Sequence, residues 1–336
     1  MKKFLNKILI FSIILFVFNL VLGFILPIRT YYGNEMFEQK FSSIKNDLND
    51  YNLYFFGSSR IVNGINPKVF DSVMQVNDRD INSYNLGSYG TWFNENIFLI
   101  NSILNDTSIK DATFMIEFQQ VMSVPWEKID NHKNIYYQSS DNFTFILNYV
   151  LDKDIRTFRD FLIGVHYIFS YSISETLNIF NLGKLKGLES YSHSKESKKF
   201  DNKGFFAIDS RKEMNQITIS NYQSKGVQLF QANESKSNGA FEKKINEIIK
   251  KAQERNISII FILTPKNYTK EMVANYKTLP SENKIDYEKF LDQTSLFEAA
   301  NWGDHTHFNF QGAQYFTEFV AKEFLILNRN EASENK

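Results

Sequence analysis

The chain has 336 residues, enough for one large domain or two small ones with a substantial buried core. Lysine plus arginine equals aspartate plus glutamate at 38 each, so no net field recruits nucleic acid or an acidic partner. Cysteine is absent, which excludes disulfides and a thiol nucleophile.

The N-terminus opens with Lys2, Lys3 and Lys7, and Ile8 to Leu26 then runs for nineteen residues without a charge. Asn19 is the one strongly polar side chain in that run, and Pro27 closes it. Nineteen helical residues span about 30 Å, enough for a bilayer core. A cleaved signal peptide has a shorter apolar core and an A-x-A-like cleavage site, and neither is present. The segment 1–27 therefore reads as a cytoplasmic stub and an uncleaved transmembrane anchor. Its lysines stay inside, and everything after about residue 28 lies outside a bacterial cytoplasmic membrane.

Residues 28–50 read as a membrane-proximal connector with a short helix. Asn52 to Phe56 is an apolar, aromatic run that ends at Gly57, a strand by length. Ile81 to Leu86 is a second strand, followed by the turn Gly87-Ser88-Tyr89-Gly90. Trp92 to Leu104 has helical periodicity, and Ala112 to Phe118 reads as a third strand. Residues 151–181 look helical with aromatics on one side. A second membrane span is disfavoured there by Arg156, Arg159, Asp160, His166 and Glu175. Residues 184–240 are polar and read as irregular.

Residues 241–255 carry Phe241, Ile245, Ile248, Ile249 and Ala252 at helical spacing among charges. Asn256 to Leu263 follows as the strongest strand pattern, stopped by Thr264-Pro265, and Gln311 to Leu327 is helical. Strands alternating with helices, with near-continuous apolar strands, predict an α/β domain over 51–328 with a parallel sheet covered on both faces. A helical and irregular insertion at about 125–240 interrupts it, and 329–336 is a polar tail.

Two short motifs carry the chemistry. Gly57-Ser58-Ser59 follows the first strand. A glycine there lets the chain turn sharply into a helix and expose a hydroxyl at the strand's carboxyl end, where open α/β sheets bind ligands. Some 250 residues later stands Asp304-His305-Thr306-His307. A carboxylate three residues from an imidazole can orient it and stabilise the imidazolium that forms when a serine loses its proton. The same string, Asp304, His305 and His307, also fits a metal site, though no further His or Glu cluster stands near a strand end. His132, His166 and His193 lie in the middle region and read as structural.

These blocks resemble the SGNH hydrolases, the group related to GDSL esterases and lipases. The resemblance covers residues 50–125 and 240–328. It implies a three-layer αβα sandwich with a flavodoxin-like parallel sheet. It also implies Ser59 as nucleophile, His307 as general base and then acid, and Asp304 as its orienter. Gly87 would join Ser59 in offering a backbone N–H to an oxyanion. The family's third block supplies an asparagine after the third strand. Here that strand ends Ile116-Glu117-Phe118-Gln119-Gln120, which leaves Gln119 or Gln120 as the substitute donor. Ser58 supports the turn, while Arg60 reads equally as a ligand for an anionic or sugar group and as a surface ion pair.

An anchored protein with these blocks resembles the D-alanine transfer protein of teichoic acid modification and the alginate acetylation proteins. That likeness implies a serine acyl transferase or esterase acting on O-acyl groups of cell-envelope polysaccharide. Its partners would be a membrane-bound O-acyltransferase and a glycan, with no cofactor and no metal. The alternative is a catalytically inactive glycan-binding or scaffold subunit, whose 16% aromatic content would stack on sugars.

Overall fold

The computed structural model describes residues 1–26, 34–106, 108–122, 140–153, 157–182, 202–208, 214–232, 236–266 and 268–334. Isolated positions between 128 and 137 and at 155 and 185 are described as well. Pro27, Arg156, His132 and His193 lie outside the described residues, as does most of the polar stretch 183–201.

The chain is α/β, with four strands and twelve α-helices among the described residues. In chain order these are α1 (Lys2–Ile25), α2 (Glu35–Ile44), β1 (Leu53–Phe56), α3 (Ser59–Gly64), α4 (Pro67–Val76), β2 (Ser83–Asn85), α5 (Phe93–Asp106) and β3 (Thr113–Glu117). Then follow α6 (Ser140–Leu151), α7 (Phe158–Ile179), α8 (Gln216–Gln231), α9 (Gly239–Gln253), β4 (Ser258–Ile262), α10 (Lys270–Lys277), α11 (Tyr287–Leu291) and α12 (Phe310–Glu334). They form two compact units. One holds Met1–Glu35 with Ser123–Glu196, the other Met36–Met122 with Ser197–Lys336.

The first unit contains α1, α6 and α7. Helix α1 has a mean hydropathy of 2.9 and buries none of its length, so it is long and apolar enough to cross a membrane. Within residues 151–181, expected as helical, α6 ends at Leu151 and α7 begins at Phe158. Thr157 restarts the chain as α7 through a capping box: its hydroxyl accepts from Asp160 N while the Asp160 carboxylate accepts from Thr157 N.

The second unit is built on one all-parallel sheet of order β2-β1-β3-β4. Each strand is short and buried along nearly its entire length; β1 is wholly apolar and β3 and β4 mostly so, while β2 is Ser83-Tyr84-Asn85. This is the pattern of a sheet with no solvated face. From β1 the chain moves outward to β2, then crosses back over β1 to β3, so the topology reverses between β1 and β3. In open parallel sheets such a reversal opens a crevice at the carboxyl ends of the two strands. Ser59 follows β1 there and Glu117 ends β3.

Aromatic rings fill the space under the sheet: Phe56 and Phe114 lie 4.9 Å apart, Tyr54 meets Phe114 edge-on, and Phe37 of α2 stacks on Phe56. Residues 216–231, expected as irregular, form α8. Its inward face is thin, with Ile219, Gly226 and Phe230 buried, and its Asn215 cap accepts from Ile217 N. Helix α12 runs through the expected polar tail as far as Glu334.

Phe114 is fully buried at the centre of the aromatic cluster, and Ala there leaves a ring-sized cavity. F114A is expected to cost about 3–5 kcal/mol in urea unfolding of the detergent-solubilised chain. A loss below about 1 kcal/mol would show that the cluster collapses around the gap instead.

Candidate active site

Ser59 begins α3 directly after the β1 turn. Ser58 is its N-cap, buried, with its hydroxyl accepting from Arg60 N at 3.3 Å. Gly57 is required by crowding. A Cβ there would stand 2.3 Å from Ile61 Cγ1 and 2.7 Å from Glu117 Cβ. The turn is also tied to the next strand, since Ser88 N donates to Gly57 O at 2.8 Å.

The second half of the site comes from the loop before α12. A bridge between Trp302 and Phe308 closes this loop, and their rings pack at 4.8 Å. Gly303 N donates to His307 O, and Asn309 caps α12 by accepting from Gly312 N. The acid–imidazole pair thus stands in a pinned turn ahead of the helix rather than within a helical turn. Two further groups hold the loop from outside: Lys266 Nζ donates to His305 O at 2.5 Å, and Tyr222 Oη donates to the same oxygen at 3.2 Å.

These two segments bring Ser59, His307 and Asp304 together. His307 Nε2 lies 2.7 Å from Ser59 Oγ, while Nδ1 lies 2.8 and 2.9 Å from the two Asp304 oxygens. Asp304 Oδ1 also accepts from Thr306 N, Thr306 Oγ1 and His307 N. Burial works to raise the Asp304 pKa, but the hydrogen bonds from His307 and Thr306 outweigh it and bring it from 3.8 down to about 2. An ionised Asp304 with Nδ1–H pointing at it leaves Nε2 as the acceptor for the serine proton.

Around the serine, two of the donors expected for an oxyanion, Gly87 N–H and the Gln119 amide, are otherwise employed. Gly87 N–H donates to Asn85 Oδ1 at 2.9 Å, and Asn85 in turn donates to Ile61 O and Ile65 O. Gly87 is needed for close approach: a Cβ would lie 3.0 Å from Val62 N beneath α3. Its carbonyl accepts at 2.7 Å from Lys40 Nζ, a fully buried amine whose pKa burial holds well below the ordinary lysine value.

The Gln119 side chain does not face Ser59 as an open donor. Its two amide hydrogens go to Thr91 O and Glu117 Oε2, and its oxygen accepts from Asn96. Gln120, the other substitute donor, contacts Met122 Sδ through Nε2. By contrast the Ser59 N–H makes no hydrogen bond among the described residues.

Arg60 is not a surface ion pair. Its Nε donates at 2.6 Å to Glu117 Oε1, with the two side chains 12% and 0% exposed. Glu117 is the residue that motif reading missed. Its carboxylate accepts four hydrogen bonds, from Ser58 N, Arg60 Nε, Gln119 Nε2 and Thr264 Oγ1. The available signal was a charge at the end of an otherwise apolar strand.

His305 is exposed, with its carbonyl, not its ring, tied into the site. Among the described residues no three His, Cys, Asp or Glu side chains are close enough to hold a metal ion. Compared with protein-family models and with curated proteins, the chain matches none.

Two expectations follow. E117Q keeps the shape but strands the Arg60 guanidinium without its countercharge. It is expected to cost about 3–5 kcal/mol in urea unfolding, and a change under about 1 kcal/mol would contradict the buried pair. The Asp304 pKa is lowered on folding, so its contribution to stability is present above about pH 4 and is lost as the pH falls through about 2. D304N lacks that contribution, and its urea midpoint is expected to fall less steeply than that of the wild type from about pH 4 to about pH 2. Parallel slopes would remove Asp304 from the acid response.

Proposed function

We propose that this chain is a serine esterase or acyl transferase of the SGNH type. In this reading the sheet is the centre of a three-layer αβα sandwich. The catalytic unit stands outside a bacterial cytoplasmic membrane on the uncleaved anchor α1, with Lys2, Lys3 and Lys7 inside. The observation that carries the reading is the 2.7 Å approach of His307 Nε2 to Ser59 Oγ with Asp304 behind the ring.

The chemistry follows from that line of atoms. Ser59 Oγ attacks the carbonyl carbon of an O-acyl ester while its proton passes to His307 Nε2. The imidazolium, stabilised by the ionised Asp304, then gives the proton to the departing sugar oxygen as the C–O bond breaks, leaving acyl-Ser59. Water or a second sugar hydroxyl repeats the sequence in reverse, losing its proton to His307 and taking the acyl group. The Ser59 N–H is the donor available to the oxyanion at each tetrahedral stage.

By resemblance, the ester belongs to a cell-envelope or exported polysaccharide. In the transferase form of the reading, a membrane-bound O-acyltransferase supplies the acyl group, its acyl donor is the leaving group in place of that sugar, and a sugar hydroxyl is the acceptor; no cofactor takes part. A second reading, an inactive SGNH-like glycan-binding or scaffold subunit, is favoured by one observation. Gly87 N–H and both Gln119 amide hydrogens are engaged internally, and losing one oxyanion donor typically costs about 10²–10³ in rate.

Hydrolysis of a chromogenic acetate ester by the full chain in detergent separates the two readings. S59A and H307A are each expected to lower the rate by about 10³-fold or more. S58A, which removes a cap worth about 1 kcal/mol, keeps most of it. No hydrolysis above background, or equal rates in S59A and the wild type, would favour the inactive subunit.

A further inference from the structure

Helix α7 has its polarity reversed for a helix in water. The residues it buries are Gly164, Tyr167, Ser170, Tyr171 and Ser174, mostly small or hydroxyl-bearing. Its outer side carries Phe158, Phe161, Leu162, Val165 and Phe169, each between 46% and 74% exposed. Successive steps of three, one, three and four residues place these five on one stripe. A helix packed through small residues, with its large apolar side chains turned outward, is the arrangement found where the surroundings are themselves apolar. The small face is tightly used: a Cβ at Gly164 would sit 3.0 Å from Val150 Cγ1 of α6.

Its placement within the same unit says what the apolar surroundings are. The carboxyl end of α7 is bonded to α1. Asn19 Nδ2 donates to Ile179 O at 3.0 Å, and Asn181 Nδ2 donates back to Asn19 Oδ1 at 2.8 Å. The same Asn181 nitrogen lies 3.7 Å from where a Cβ would stand on Gly23, so the two segments approach at a residue without a side chain. Asn19 lies six residues before the end of α1, a depth of about 9 Å along the helix axis. The one strongly polar side chain of the apolar run is therefore satisfied by the end of α7, next to exposed Ile179, Phe180 and Leu182. Arg159, Asp160 and Glu175 are too many charges for α7 to be a second span, which leaves a helix lying at the boundary with one face immersed.

We propose that the stripe Phe158, Phe161, Leu162, Val165 and Phe169 is seated in the acyl-chain layer of the bilayer alongside α1, making α1, α6 and α7 a membrane-bound helical unit. The proposal stands independently of the esterase reading.

The cysteine-free full chain allows a direct test. Single cysteines F161C and V165C, with V76C as an aqueous control at a position 84% exposed, are labelled with bimane. The chains are reconstituted into phosphatidylcholine–phosphatidylglycerol vesicles. Each is quenched by a nitroxide on the lipid acyl chain or by iodide present on both sides of the membrane. A face immersed roughly 5–10 Å into the acyl boundary should give about threefold or more stronger lipid quenching at 161 and 165 than at 76, with the order reversed for iodide. Iodide quenching at 161 and 165 equal to that at 76 would overturn the proposal. So would protection from both quenchers, which would mean that protein covers the stripe.

Discussion

The Glu117 carboxylate, enclosed at the end of β3, holds the proposed catalytic centre in place. A buried carboxylate must be neutralised and fully hydrogen-bonded, because its desolvation otherwise costs several kcal/mol. Its four donors come from three segments of the chain: Ser58 and Arg60 from the β1–α3 turn, Gln119 from the continuation of β3, and Thr264 from beyond β4. Satisfying one anion therefore fixes the carboxyl ends of the three strands relative to one another. The Ser58 N–H bond to Glu117 and the steric fit of Gly57 fix the backbone turn from which the Ser59 hydroxyl projects.

The loop of Asp304 and His307 arrives at that hydroxyl with its own constraints met. The Trp302–Phe308 bridge closes it, Lys266 and Tyr222 hold the His305 carbonyl, and Thr306 supplies two of the hydrogen bonds that keep Asp304 ionised. Lys266 is itself pushed below the ordinary lysine value, first by burial and then by the charge of Arg60, while Asp304 pulls it back up. Two cationic groups, Arg60 and Lys266, and two carboxylates, Glu117 and Asp304, thus stand around the Ser59–His307 contact.

Much of this was legible in the residues. An apolar run ending at Gly57 located β1 and a β-branched run before Thr264-Pro265 located β4, because a fully buried strand leaves such a pattern; β2, Ser83-Tyr84-Asn85, was placed by the glycine turn that follows it. Asp304 and His307 stood out as a carboxylate three residues from an imidazole, whereas Ser59 was singled out by the resemblance to the SGNH hydrolases. What escaped depends on partners distant in sequence. Glu117 reads as an interruption in an apolar strand until residues about 60 and 150 positions away close around it. Lys40 reads as one charge among many until its amine is seen under Gly87 O. Gln119 and Gly87 were expected as oxyanion donors, but residue type alone does not tell that their hydrogens already have acceptors. Helix α8 was hidden by a buried face of only three residues, and the break before α7 by apolar residues on both sides of the gap.

The central claim is that His307 activates Ser59 and no other hydroxyl. A fluorophosphonate reacts covalently with a serine whose proton is being removed, and peptide mass spectrometry locates the adduct. The account predicts a single adduct on Ser59 in the wild-type chain at neutral pH, absent in H307A while S58A still labels. No adduct, an adduct on Ser58, or labelling of Ser59 that persists in H307A would contradict it.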